Sequence, residues 1–321
     1  MYNELIIGSG GIKGISIAGV ILELDYHVPL NKFKYYTGCS VGSLICLLII
    51  IGYTKKEIYD LIYNIDFSEF QELKIINLIE NYGLDKGIKL NNFYKALLLN
   101  KNINTNITFL ELYKKTNKIF TCVSVNITKG ICEYHNYINN PNMSVLLAIK
   151  MSTNIPIVFS PILYNDNYYI DGAFLDPVPY NYNKNTKKIC IAILFNYEYD
   201  FLKNNVKFVN NVNNTFEYTF ELLKILYLNY NKKIYQKIKN MIYLNFDIDI
   251  DLVSFKLSNN VKDYMINIGI KKTKKFFYKI YLKKRKKYLT YKYFKLWYNY
   301  IFTGAALSGA CSETPLTVSK Y

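Results

Sequence analysis

The chain has 321 residues, about half of them hydrophobic, and a formal charge of +16 from 40 Lys and Arg against 24 Asp and Glu. That length admits one large domain or two ordinary ones, and that apolar content excludes a disordered class. Six cysteines, at 39, 46, 122, 132, 190 and 311, form no C-x-x-C pair and have no histidine at metal-ligand spacing, so reduced thiols and no metal or organic cofactor are expected.

The N-terminus opens directly on a strand, Glu4-Leu5-Ile6-Ile7, without the charged n-region or apolar h-region of a secretory signal. A cytoplasmic protein is therefore expected. The strand ends at Gly8 in a Gly-rich turn, and residues 15–24 follow with apolar residues at helical spacing. Residues 33–36 read as a second strand, and residues 41–51, apolar all round, as a buried helix. The longest apolar run, residues 44–51, is far short of the roughly 20 residues of a membrane-spanning helix. Further strands are predicted over 119–126, 162–164, 168–170 and 189–195, and helices over 55–65, 91–99, 144–151 and 208–234. Residues 179–188 and 196–207 are polar and read as loops. A last helix is predicted from 258 to 277 or beyond. Residues 303–321 hold no Asn or Ile and many small residues, which marks a disordered tail. The alternation of strand and helix predicts an α/β layered fold.

Three segments carry the chemistry. Gly38-Cys39-Ser40-Val41-Gly42 is a G-x-S-x-G motif between a predicted strand and a predicted helix, the context in which the pattern makes a nucleophile elbow. Gly38 and Gly42 allow the chain to approach itself, and Ser40 stands at the positive end of the next helix. Cys39 is the rival nucleophile, but only the central residue of an elbow is displayed. The second segment is Gly8-Ser9-Gly10-Gly11-Ile12-Lys13-Gly14. A dinucleotide fingerprint starting at Gly8 would need its third glycine at Lys13, and the P-loop pattern fails as well. A backbone oxyanion hole and a plain strand-to-helix turn remain. The third segment is Asp171-Gly172-Ala173, an acid at a strand end. A serine nucleophile needs a base, and the chain has only His27 and His135. Neither stands in a segment that suggests catalysis, so a Ser–Asp dyad fits better than a triad.

This ordered set of segments resembles the patatin-like phospholipases. The likeness continues through Tyr82-Gly83-Leu84-Asp85, through Thr108-Phe109-Leu110-Glu111-Leu112, and through the run from Ala148 by Ser152 and Pro156 to Phe159. It extends along Asp171 to Pro179 and on to Gly269, about 270 residues in the family's order. The resemblance implies a three-layer α/β/α fold with a central, mostly parallel sheet. It implies Ser40 as nucleophile, Asp171 as base, and the Gly10 and Gly11 amides as the oxyanion hole, with Ser9 replacing the family's first glycine. The implied activity is a phospholipase A-type lipid acyl hydrolase working through an acyl-enzyme. The same site admits acyl transfer or lysophospholipid hydrolysis. A catalytically degenerate, membrane-associated protein of this fold is the alternative, and Ser9 is its only support.

Residues 271–295 hold twelve Lys or Arg and no acid, which leaves +4 for the rest of the chain. Phe276, Phe277, Ile280 and Tyr281 fall on one helical face there. A solvated charged extension, an interfacial segment and a nucleic-acid patch at Lys283-Lys284-Arg285-Lys286-Lys287 are the competing readings. An enzyme that must reach lipid favours peripheral contact with an anionic membrane, and nucleic acid is not expected as a partner. The expected organisation is a patatin-like domain over 1–270, a basic aromatic extension over 271–302 and the tail over 303–321.

Overall fold

Leu5, Ile6 and Ile7 are fully buried, as are Cys190 and Ala192. Strands that are apolar on both faces need cover on both faces, which is the condition of a parallel sheet flanked by helices. The computed structural model describes residues 2–70, 72–193, 238, 240–246 and 257–303, with residue 67 and residues 293–303 as backbone alone. The predicted helix over 208–234, the loop over 196–207 and the tail beyond 303 lie outside the described residues.

The strands are β1 (Glu4–Ile7), β2 (Tyr35–Cys39), β3 (Gly83–Asp85), β4 (Ile119–Asn126), β5 (Ile131–His135), β6 (Ile157–Phe159), β7 (Ile162–Tyr164), β8 (Asn167–Asp171), β9 (Lys188–Ile193) and β10 (Met241–Leu244). The helices are α1 (Ile15–His27), α2 (Val41–Ile50), α3 (Lys55–Asn64), α4 (Ile75–Asn81), α5 (Ile88–Leu99), α6 (Phe109–Thr116), α7 (Val145–Ser152) and α8 (Asn259–Thr303). An eight-stranded sheet runs in the order β10-β9-β1-β2-β4-β8-β7, with β5 also pairing β4. From β10 to β4 every pairing is parallel; β5, β8 and β7 are antiparallel. Helices cover both sides, which makes the architecture α/β. A second sheet pairs β3 with β6.

β4 and β7 keep their predicted bounds. β2 lies further along than residues 33–36, because Gly38 and Cys39, which resemble turn residues, extend the ladder to Val123. The capping boxes Thr54–Glu57 and Thr108–Glu111 set the starts of α3 and α6. By contacts the chain forms two compact units, Met1–Lys274 and Lys275–Tyr321. The sheet belongs to the first.

Candidate active site

The pairing of β4 brings two chain segments together. β5 pairs Cys122–Asn126 of β4 and therefore takes one edge of that strand. The opposite edge is shared: β2 occupies it up to Cys39↔Val123, and β8 arrives there with Asp171↔Ser124. The C-terminal ends of β2 and β8 thus meet head to head, and the next residue after β2 is Ser40.

Ser40 caps α2 with φ 54 and ψ −130. A positive φ is uncommon outside glycine and marks strain held by the surroundings. Two glycines permit the turn. A Cβ on Gly42 would stand 2.1 Å from the Ile7 carbonyl oxygen, and one on Gly38 would stand 2.4 Å from Ser43 Cα. The Ser40 N–H donates to Ser152 Oγ at 2.9 Å, and its carbonyl accepts from Ser43 N at 2.8 Å and Ser43 Oγ at 2.6 Å. The elbow is therefore held from α2 and from α7.

Ser40 Oγ donates to Asp171 Oδ2 at 2.5 Å. The other carboxylate oxygen accepts the Ala173 N–H at 2.8 Å, and the Asp171 N–H donates to Asn154 O at 2.9 Å. Ser40 is 5% exposed and Asp171 4%. Burial pushes the Asp171 carboxyl up to about 7, against the opposing effect of the two hydrogen bonds it accepts. Cys39 is fully buried, and desolvation together with the Asp171 charge raises its thiol well above the usual range. It is not positioned as a nucleophile.

The Gly-rich turn leaves β1 beside this pair. Gly10 precedes, and Gly11 with φ 50 opens, a 3-10 turn over Gly11–Gly14. The first N–H groups of such a turn have no acceptor within it. The Ser9 N–H is taken by Pro177 O at 2.9 Å, so the substituted position is anchored to the segment after Asp171. Neither histidine meets the pair. His27 ends α1, roughly 18 Å of helix from the Gly-rich turn, and bonds Glu23 Oε1 at 3.0 Å. His135 is buried, between Ser124 Oγ at 2.8 Å and Asn140 Oδ1 at 3.2 Å, and burial lowers its pKa. Its polar sequence context hid that burial. Ser152 and Asn154, which brace the site, carry no chemical signature of their own in the sequence; their only signal is membership of the Ala148–Phe159 run. Among the described residues, no group of three or more His, Cys, Asp or Glu is placed to hold a metal ion.

A family model described as patatin-like phospholipase matches residues 5–183. The chain is 34% identical over 212 residues to "Probable lipid hydrolase 463L" of Invertebrate iridescent virus 6, covering 60% of this chain and 71% of that protein. It is 25% identical over 191 residues to "Lysophospholipase NTE1" of Meyerozyma guilliermondii, covering 59% of this chain and only 12% of that protein. Among solved structures, VipD from Legionella pneumophila superposes with a TM-score of 0.55 at 16% identity, over 86% of this chain and 66% of VipD, a likeness of fold.

Proposed function

The chain belongs to the patatin-like phospholipase family, and from that premise we propose that it is a lipid acyl hydrolase working through a Ser40–Asp171 dyad. The observation that carries this reading is the 2.5 Å hydrogen bond from Ser40 Oγ to a buried carboxylate, made on a strained turn. Asp171, as the carboxylate, takes the Ser40 proton while Oγ attacks the ester carbonyl. Its raised pKa makes it a better proton acceptor than an ordinary aspartate. The Gly10 and Gly11 amides and the N-terminus of α2 receive the oxyanion; one such donor contributes about 2.7–4 kcal/mol to the transition state. The alcohol leaves with the proton from Asp171. Water then attacks the acyl-enzyme, giving its proton to Asp171, and as the acyl bond to Ser40 breaks Asp171 returns that proton to Ser40 Oγ and the fatty acid departs.

The substrate class is a phospholipid or lysophospholipid ester, a reading supported by the family and by the lysophospholipase among its relatives. Contact with anionic membrane through the basic stretch of α8 is part of the same reading. Tyr278, Tyr281, Leu282, Tyr288 and Leu289 are exposed. At 100° per residue they share one face, which Arg285 and Lys292 interrupt, while Lys279, Lys283, Lys286 and Lys287 lie on the other side.

Ser40→Ala and Asp171→Asn are each expected to abolish fatty-acid release from mixed phospholipids, read by mass spectrometry, while the circular dichroism spectrum stays native. A fluorophosphonate probe is expected to label Ser40 and nothing in the Ser40→Ala protein. Undiminished hydrolysis by Asp171→Asn would sink the dyad.

A further inference from the structure

The helix α4, Ile-Ile-Asn-Leu-Ile-Glu-Asn, is amphipathic in the inverted sense. Ile75 is 77% exposed and Ile79 73%, with Ile76 and Leu78 also exposed, whereas Asn77 is only 8% exposed. Asn77 Nδ2 donates inward to Leu84 O at 3.3 Å. Ordinary surface helices turn such aliphatics towards the core. Leu73 and Tyr82 at its two ends are exposed as well. In the adjoining β3–β6 pair, Ile157 is exposed and has φ 72, a strained conformation for a β-branched residue. An exposed aliphatic cluster with a polar interior side marks an interaction surface.

We infer that α4 with the β3–β6 pair is the element by which the catalytic unit inserts into an anionic phospholipid surface. This rests on the proposed lipid-ester activity. Composition and charge both select lipid over protein. Protein-contact centres are enriched in Trp, Tyr, Arg and Met, whereas this patch is mainly Ile and Leu. Lys74, Lys86 and Lys89 are exposed around it against the exposed acids Glu72, which pairs with Lys89 at 3.2 Å, and Glu80, so the surround is net positive by one charge and Lys74 and Lys86 face an anionic headgroup layer. The patch is also joined to the site. The Ser160 N–H donates to Asp85 O at 2.9 Å, Asn154 Nδ2 donates to Ser160 O at 3.0 Å, and Asn154 O accepts the Asp171 N–H at 2.9 Å. Insertion of α4 would therefore set the backbone that carries Asp171 at the lipid surface.

The test uses the full chain with Ser40→Ala, so that binding is read without turnover. Vesicles of phosphatidylcholine with phosphatidylglycerol are cosedimented with this protein and with one also carrying Ile75→Asn, Ile76→Asn and Ile79→Asn. The triple change is expected to weaken partition by about tenfold or more, and to do so equally at high salt, where attraction by lysines is screened. Separately, Ile79→Trp in a Trp297→Phe background is expected to shift its emission to the blue on adding the vesicles. Unchanged partition, or no spectral shift, overturns the inference. So does a dimer that the triple change dissociates without affecting vesicle binding, since the patch would then be a self-interface. Hydrolysis of a soluble short-chain ester by the triple variant with Ser40 intact is expected to be unaltered. Absence of that hydrolysis in the unmodified chain would count against the catalytic reading and leave the binding result standing.

Discussion

Asp171 carries opposing demands. Its burial raises the carboxyl from 3.8 to about 7, and the hydrogen bonds from Ser40 and Ala173 pull it back only in part. Catalysis requires the ionised form, so kcat/KM is expected to rise about tenfold per pH unit below 7 and to level off above it. A pH–rate profile on a soluble ester checks this; a plateau extending down to pH 5 would remove Asp171 as the base. The same shift has a stability consequence. The unfolded chain ionises Asp171 near 3.8 and the folded chain near 7, so the folded state loses stability as pH rises between those values. The loss is on the order of 4 kcal/mol at most. Asp171→Asn removes the ionisable group. It is expected to raise Tm relative to the unmodified protein at pH 8, with the gain shrinking towards pH 4, as measured by calorimetry. An inactive yet more stable variant separates a catalytic carboxylate from a structural one.

Two strands and two helices hold the elbow, and Ser152 of α7 ties its backbone across 112 residues of chain. Removing the Ser152 hydroxyl leaves the Ser40 N–H buried without its acceptor, at a cost of about 1–3 kcal/mol. Ser152→Ala is expected to lower Tm by a few degrees and kcat by about 10–100-fold with KM little changed, while Ser152→Thr restores much of the rate. Equal kcat in Ser152→Ala and the unmodified chain would show that Gly38, Gly42 and α2 suffice to hold the strained φ of Ser40. Elements at this level were legible in the sequence where burial follows one period. α2 is apolar all round, and β4 is a buried run whose bounds, Ile119–Asn126, are those predicted. α4 was illegible because its aliphatic residues face outward, so its pattern gives no core-facing stripe. β3 and β6 have three residues each and pair only with one another across distant sequence, Gly83 with Ile157, whereas the equally short β7 was legible beside β8 across the Asn165-Asp166 turn. β5, Ile-Cys-Glu-Tyr-His, was hidden by its Asn-rich flanks, and with it the burial of His135 against Ser124. The Ser40–Asp171 pairing was legible only as an ordered set of motifs. The head-to-head meeting of β2 and β8 along β4 brings together Ser40 and Asp171, 131 residues apart in the chain, which no local pattern contains.

At the scale of the molecule, charge and chemistry are separate. Ser40, Asp171 and the Gly-rich turn lie in the unit Met1–Lys274, while most of the twelve basic residues of 271–295 lie in the unit Lys275–Tyr321. If lipid contact has an electrostatic part from α8 and an apolar part from α4, the two are distinguishable by salt. Each lysine near an anionic surface contributes about 1 kcal/mol, and that contribution falls with ionic strength; insertion of aliphatic side chains is not weakened by salt. Replacing Lys279, Lys283, Lys286 and Lys287 with Gln in the full chain is expected to cut binding to anionic vesicles sharply at low salt and hardly at high salt. Binding to phosphatidylcholine alone and turnover of a soluble ester are expected to stay as they were. Vesicle cosedimentation across a salt series reads both terms. A loss that persists at high salt would mean that these lysines act through the fold rather than through the headgroups. A change in soluble-ester turnover would mean that the second unit contributes to catalysis and not to adsorption alone.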